Sequence, residues 1–63
     1  MEKAITDMIN YGIDTDTAQQ IYNTRFDLWN ENGQHGKMTI TGDDLFYFGG
    51  VTPPNDFRMI VID

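Results

Sequence analysis

The chain of 63 residues contains no cysteine and no serine, and its single histidine is His35. Disulfides and thiolate zinc sites are therefore excluded. Nucleophilic catalysis would have to use threonine, and no pair of histidines can act as acid and base. His35 lies in a polar stretch beside glycine, where a lone histidine is usually solvated. We therefore expect no enzymatic activity, no bound metal and no cofactor.

Basic residues are also scarce. Four lysines and arginines stand against ten aspartates and glutamates, which gives a formal net charge of −6. Nucleic-acid binding needs clustered positive charge, so we expect no direct contact with DNA or RNA. A negative surface suits a basic protein partner, including a protein that itself binds nucleic acid. Acidity also keeps a small domain soluble, and the sequence does not decide between these roles.

Long apolar runs are missing as well. No segment approaches the roughly 20 apolar residues that a membrane span requires. The start, Met1-Glu2-Lys3, lacks the basic residues and apolar stretch of a signal peptide. We expect a cytoplasmic protein without membrane contact. Residues 1–63 are expected to form one small domain, and a domain of this size buries only about 60% of its unfolded surface.

The clearest periodicity predicts a helix over residues 15–31. Asp14, Thr15 and Asp16 are the N-cap candidates at its start, with Thr17 as a further one, and Asn32 or Gly33 suits a left-handed C-terminal position. Its apolar residues fill an arc of roughly 160°, the width of a core-facing stripe. They are Ala18, Ile21, Tyr22, Phe26, Leu28 and Trp29.

Arg25 falls inside this apolar arc, between Ile21 and Trp29. Two explanations remain open. The stem of Arg25 can cover apolar surface while its guanidinium reaches water or a carboxylate. Alternatively, Arg25, Tyr22 and Trp29 belong to a partner-facing patch, because these residue types are enriched at binding hot spots.

An earlier helix is predicted over residues 2–11, and Gly12 is placed to end it with a left-handed cap. So short a link sets the two helices against each other as a hairpin. The stretch from Met8 to Ile21, with Tyr11-Gly12 at the turn, resembles helical-hairpin modules such as ubiquitin-associated domains. This resemblance implies a non-catalytic adaptor.

The second half of the chain predicts a small sheet. Residues 37–41 alternate apolar with polar and residues 57–62 are rich in β-branched side chains, so each predicts a strand, and the two are expected to pair. Residues 43–48, with Asp43 or Asp44 as a cap, form a short turn or helix, although a strand also fits. The predicted fold is α+β, with the N-terminal helical hairpin packed on a two-stranded sheet. The edge strand 57–62 is expected to pair with a second copy in a homodimer, or to accept a strand from a partner.

Residues 26–45 resemble an EF-hand. An aromatic helix is followed by oxygen-bearing side chains, a β-like residue and an acid before a leucine, at Asn30, Asn32, Gln34, Ile40, Asp44 and Leu45. Functional EF-hands bind calcium with a twelve-residue loop that has Gly at the sixth position and Glu at the twelfth. Here the span from Asn30 to Asp44 is about three residues too long. The resemblance therefore implies a degenerate hand that no longer binds calcium.

Three consecutive aromatic residues, 46–48, cannot all face inward, so at least one ring is expected on the surface. With the neighbouring acids they predict an acidic–aromatic contact patch; the alternative is that two rings enter the core and the third is tolerated outside. Small acidic proteins of bacteriophages and mobile elements often inhibit host enzymes, and by this analogy we expect an inhibitory protein-binding module. Its predicted contact residues are Asp43, Asp44, Phe46, Tyr47, Phe48, Arg25, Tyr22 and Trp29.

Overall fold

The computed structural model describes residues 2–62, in which three helices and two short strands follow one another. They are α1 (Lys3–Asn10), α2 (Thr15–Glu31), β1 (Met38–Ile40), α3 (Gly42–Gly49) and β2 (Ile60–Ile62). The strands pair antiparallel, with Thr39 opposite Val61. α1 packs against β2 and α2 against β1, which confirms the α+β fold with a helical hairpin on a two-stranded sheet. No helix within residues 2–62 is long and apolar enough to cross a bilayer.

The corner between α1 and α2 is closed by backbone hydrogen bonds. Gly12 has a φ of +95°, its N–H donates to the carbonyl of Ile9 (2.8 Å), and the N–H of Ile13 donates to the carbonyl of Met8 (3.1 Å). These two bonds satisfy the last carbonyls of α1 in the manner of a left-handed glycine cap. The carboxylate of Asp14 then caps the first turn of α2. Gly12 therefore ends α1 as the sequence predicts.

The core is aliphatic and draws on all five elements and on the first turn. The sheet turns Met38, Ile40 and Ile60 inward, and it turns Thr39 and Val61 away from the core, as the period-two alternation of a strand requires. The buried side chains are Ala4, Ile5, Met8, Ile13, Ala18, Ile21, Met38, Ile40, Leu45 and Ile60.

The apolar stripe of α2 enters this core only in part. Ala18 and Ile21 are fully buried, the aromatic residues of the stripe are half-buried, and Leu28 is 37% exposed. The prediction of a core-facing stripe is therefore wrong for Leu28. The cause is length: a helix of 17 residues is about 25 Å long, whereas strands of three residues reach only about 10 Å. The sheet cannot cover the C-terminal half of α2.

The predicted strand 57–62 is wrong for residues 57–59, because β2 begins at Ile60. The ring of Phe57 packs on Tyr11, with centroids 4.8 Å apart. The backbone N–H of Arg58 donates to the Tyr11 hydroxyl (3.3 Å) rather than to a strand. The segment is thus held by a contact with the end of α1.

The other bounds differ by one residue at most. The predicted helix 15–31 is found unchanged, and the predicted helix 2–11 is found at Lys3–Asn10. The predicted strand 37–41 shortens to Met38–Ile40, because Lys37 lies outside the ladder and Thr41 is used to cap the next helix.

Residues 43–48 are helical, within α3. The Thr41 hydroxyl accepts from the N–H of Asp44 (3.3 Å), and the Asp44 carboxylate accepts from the N–H of Thr41 (2.8 Å). This reciprocal arrangement is a capping box, so the N-cap is Thr41 and not Asp43 or Asp44. At the other end, Gly50 takes a left-handed conformation with a φ of +65°. Both ends of this eight-residue helix are therefore capped by hydrogen bonds.

Candidate functional site

The eight predicted contact residues do not form one surface. Asp43, Phe46 and Tyr47 share the solvent side of α3, which we call the α3 outer face. Tyr22 and Trp29 line a groove between α2 and the sheet. The remaining three, which are half-buried between these surfaces or in the core, are Arg25, Asp44 and Phe48.

The α3 outer face is acidic and aromatic. The side chains of Phe46 and Tyr47 are 55% and 75% exposed, and their rings meet edge to face with centroids 5.3 Å apart. Asp43 is also exposed and lies three and four residues before the two rings, on the same side of the helix. Leu45 is fully buried and Phe48 packs against the core, so the third ring turns inward. Two of the three consecutive aromatic residues therefore remain on the surface.

A close backbone approach holds α3 on α2. A methyl group placed on Gly49 would lie 2.6 Å from Cδ1 of Ile21 and 3.0 Å from Cγ2 of Thr17. The side-chain amide of Gln20 donates to the carbonyl of Phe48 (2.8 Å) beside this contact. α3 is thus fixed in one orientation, and a pre-ordered contact surface loses less entropy when it binds.

Asp43 places a carboxylate beside the two exposed rings, in the first turn of α3. α3 contains no lysine or arginine. A partner that covers the rings would therefore meet the negative charge of Asp43.

Arg25 and Asp44 serve the structure. The Nε of Arg25 lies 3.7 Å from Oδ2 of Asp44. The same carboxylate belongs to the capping box of α3, so Asp44 already has two partners inside the chain. Arg25 therefore reaches a carboxylate at the edge of the apolar stripe, which is the first of the two explanations that the sequence leaves open.

The groove beside α2 is lined by rings. Those of Tyr22 and Phe26 are stacked with centroids 6.2 Å apart, and those of Phe26 and Trp29 are tilted at 5.9 Å. The indole N–H of Trp29 donates to the carbonyl of Gly36 (3.2 Å). Burial raises the pKa of Tyr22, and the negative charge and hydrogen bonding of Glu2 raise this pKa further. The groove has a volume of about 430 Å³ and is completed by Lys37, Met38 and Ile62.

The EF-hand resemblance corresponds to a helix–loop–strand–helix arrangement of α2, β1 and α3. Its candidate ligands are bound to protein atoms. The side-chain oxygen of Asn30 accepts from the amide of Gln34 (2.6 Å), and the Asp44 carboxylate is held by the capping box and Arg25. Within residues 2–62, no group of three or more histidine, aspartate and glutamate side chains is arranged to hold a metal ion.

Two features were missed at the level of sequence although signals for them exist. Thr41 and Asp44 have the spacing of a capping box, which identifies the start of α3. Phe26 was predicted in the apolar stripe but not among the contact residues, although it lies four residues after Tyr22 and three before Trp29, on the same side of the helix. The role of Gly49 carries no such signal, because only the packed structure shows which side chain approaches it.

Comparison of the chain with protein-family models, with curated proteins and with solved structures finds no match.

Proposed function

We propose that this chain is a small acidic protein-binding module that uses the α3 outer face to occupy, and so inhibit, a basic protein in the cytoplasm. The observation that carries the proposal is the pair of adjacent exposed rings, Phe46 and Tyr47, on a helix fixed at both ends. Aromatic anchors of this type supply a large share of the energy at protein interfaces. Neither ring is needed to fill the core, so their exposure supports a role outside the fold.

Charge supports a basic partner. The net charge of −6 attracts a positive surface over a distance, and Asp43 beside the rings favours the same orientation at contact. A protein that holds nucleic acid presents such a surface, and a module bound there would exclude the phosphates. The analogy of size and charge with inhibitors from bacteriophages and mobile elements points to the same mode of action.

A capture experiment with a matched control tests the contact. The immobilised chain is expected to retain a basic protein from a host lysate, and Phe46→Ala with Tyr47→Ala should abolish this retention. Leu28→Ala is the control, because Leu28 is also an exposed apolar residue, 37% exposed, but lies on α2 and in neither proposed contact surface. Equal retention by both variants would exclude the α3 outer face, and failure to capture any protein would reject the proposal.

Ionic strength tests the electrostatic part. Exposed charges more than about 10 Å apart are screened at 0.1 M salt, and molar salt screens contacts down to about 3 Å. The retained protein should therefore be released as salt is raised, and Asp43→Asn should lower the salt concentration needed. Retention that persists unchanged in molar salt would show that the rings bind the partner without a contribution from charge.

The helix–loop–strand–helix order of α2, β1 and α3 supports a second candidate function, a non-catalytic adaptor related to degenerate EF-hands. It differs from the first in the surface used, which would be the aromatic groove between α2 and the sheet that Trp29 lines. Calorimetry with calcium should show no heat of binding. Capture lost on Trp29→Ala but not on Phe46→Ala would favour this second candidate.

A further inference from the structure

We infer that the free edge of β2 binds an extended segment of a partner protein by strand addition, at a site separate from the α3 outer face. In the two-stranded sheet, β2 has β1 on one side and no strand on the other. Among residues 2–62, the Tyr11 hydroxyl is the one group outside the sheet that forms a hydrogen bond with residues 58–62. Unpaired N–H and carbonyl groups along an edge are a template for another strand.

A groove runs along this edge. One wall is the polar side of α1, with Lys3, Asp7 and Asn10, and the other wall is the segment from Arg58 to Val61. The groove has a volume of about 460 Å³, and Tyr11 also lines it. A helix beside an open strand edge thus leaves a channel in which an added chain would touch both elements.

The different widths of helices and strands determine what can bind at the open edge of β2. A helix with its side chains is about 10 Å across, whereas neighbouring strands lie about 4.8 Å apart. Two helices side by side are therefore wider than two paired strands, and Lys3, Asp7 and Asn10 of α1 line the groove beside β2. A single added strand would rest against this side of α1. A second copy that paired its own β2 here would bring its own α1 into the same space, so a homodimer through this edge is disfavoured.

The exposed side chains define the chemistry of the added strand. Val61 is 47% exposed on the outer side of the sheet, and Met59, just before β2, is 56% exposed, which favours β-branched or aromatic side chains opposite them. Lys3 is paired with Asp7 at 2.9 Å, whereas Arg58 is exposed and forms no ion pair with a described residue. A strand antiparallel to β2 passes Arg58 with its C-terminal end. The occupant is therefore an apolar extended segment with an acidic side chain towards its C-terminal end.

Nuclear magnetic resonance of the isotope-labelled chain tests this inference with two blocked synthetic peptides. Both contain alternating valine and threonine; one ends in two aspartates and the other in two lysines. The aspartate peptide should shift the amide signals of residues 3–11 and 58–62 and should bind about five-fold more tightly, which is roughly 1 kcal/mol. Arg58→Glu should reverse the preference. Phe46→Ala should leave the affinities for both peptides unchanged. Failure of this inference can therefore be distinguished from failure of the proposed function, which depends on the α3 outer face.

Three results would overturn the inference. The first is the absence of shifts at millimolar peptide, and the second is a shift confined to the α3 outer face. The third is sedimentation of the chain alone as a dimer that Val61→Lys dissociates, because this outcome would assign the edge to a second copy. Val61 is exposed on the outer side of the sheet, so a lysine there is compatible with the fold.

Discussion

The guanidinium Nε of Arg25 lies 3.7 Å from Oδ2 of Asp44, and the same oxygen accepts the backbone N–H of Thr41 at 2.8 Å. This carboxylate therefore joins the middle of α2 to the start of α3. Its neighbour Asp43 is exposed and forms no such bond with a described residue. Two adjacent aspartates thus have different tasks, one in the fold and one on the α3 outer face.

Replacement of Asp44 by alanine should lower the free energy of unfolding by about 1–2 kcal/mol, because the capping box and the partner of Arg25 are lost together. Asp43→Ala removes only a favourable charge at the helix N-terminus and should cost about 0.5 kcal/mol. Urea unfolding followed by circular dichroism measures both values. Equal losses for the two variants would contradict the division of tasks.

Gly49→Ala should destabilise the chain by about 1–3 kcal/mol, because the added methyl group overlaps the side chain of Ile21 and forces α3 away from α2. Ile21→Val removes Cδ1, the atom in closest contact, keeps Cγ1 at 2.8 Å, and by itself should cost about 1 kcal/mol. The overlap is thus relieved in part, and in the double variant the cost of the alanine should fall by more than about 0.5 kcal/mol. Strictly additive losses would show that the overlap with Cδ1 does not cause the loss.

Tyr11→Phe should cost about 1 kcal/mol, because the N–H of Arg58 loses its acceptor while the ring stays on Phe57. Tyr11→Ala removes the ring as well and should cost about 2–3 kcal/mol. Hydrogen exchange should become faster at Ile60–Ile62 in both variants, since Tyr11 anchors the segment before β2. Unchanged exchange in the alanine variant would show that β1 alone fixes β2.

The stability of the chain should fall at alkaline pH because of Tyr22. Its pKa is raised above the ordinary 10.0, mainly by burial and then by Glu2. Above about pH 10 the unfolded chain releases a proton that the folded chain retains, so unfolding becomes more favourable as pH rises through this range. Tyr22→Phe should flatten the decline in unfolding free energy. In a spectroscopic titration of tyrosinate, the same variant should lose the phase that appears at the highest pH.

Local patterns predicted what depends on neighbours in the chain. The period of α2 persists over 17 residues, and its bounds were predicted without error. Gly12 fixed the corner because a left-handed cap has few alternatives to glycine. The predicted start of β2 was wrong because the position of the preceding segment depends on Tyr11. Its contact with Arg58 joins residues 47 positions apart, and such a contact produces no periodic pattern in the sequence. The predicted contact residues fall on separate surfaces for the same reason, which is that the contacts between them are distant in sequence. A helical wheel shows the side of α2 on which Arg25 lies, but it does not show that Asp44 of α3 lies beside it.

The contact of Gly49 with Ile21 has a consequence for how the molecule can change over time. It orients α3 through its inner side, so the outward positions 43, 46 and 47 contribute little to the core. Mutations at these positions can therefore accumulate at little thermodynamic cost. Under the proposed function, changes at these three residues would alter which protein is bound while the fold stays the same.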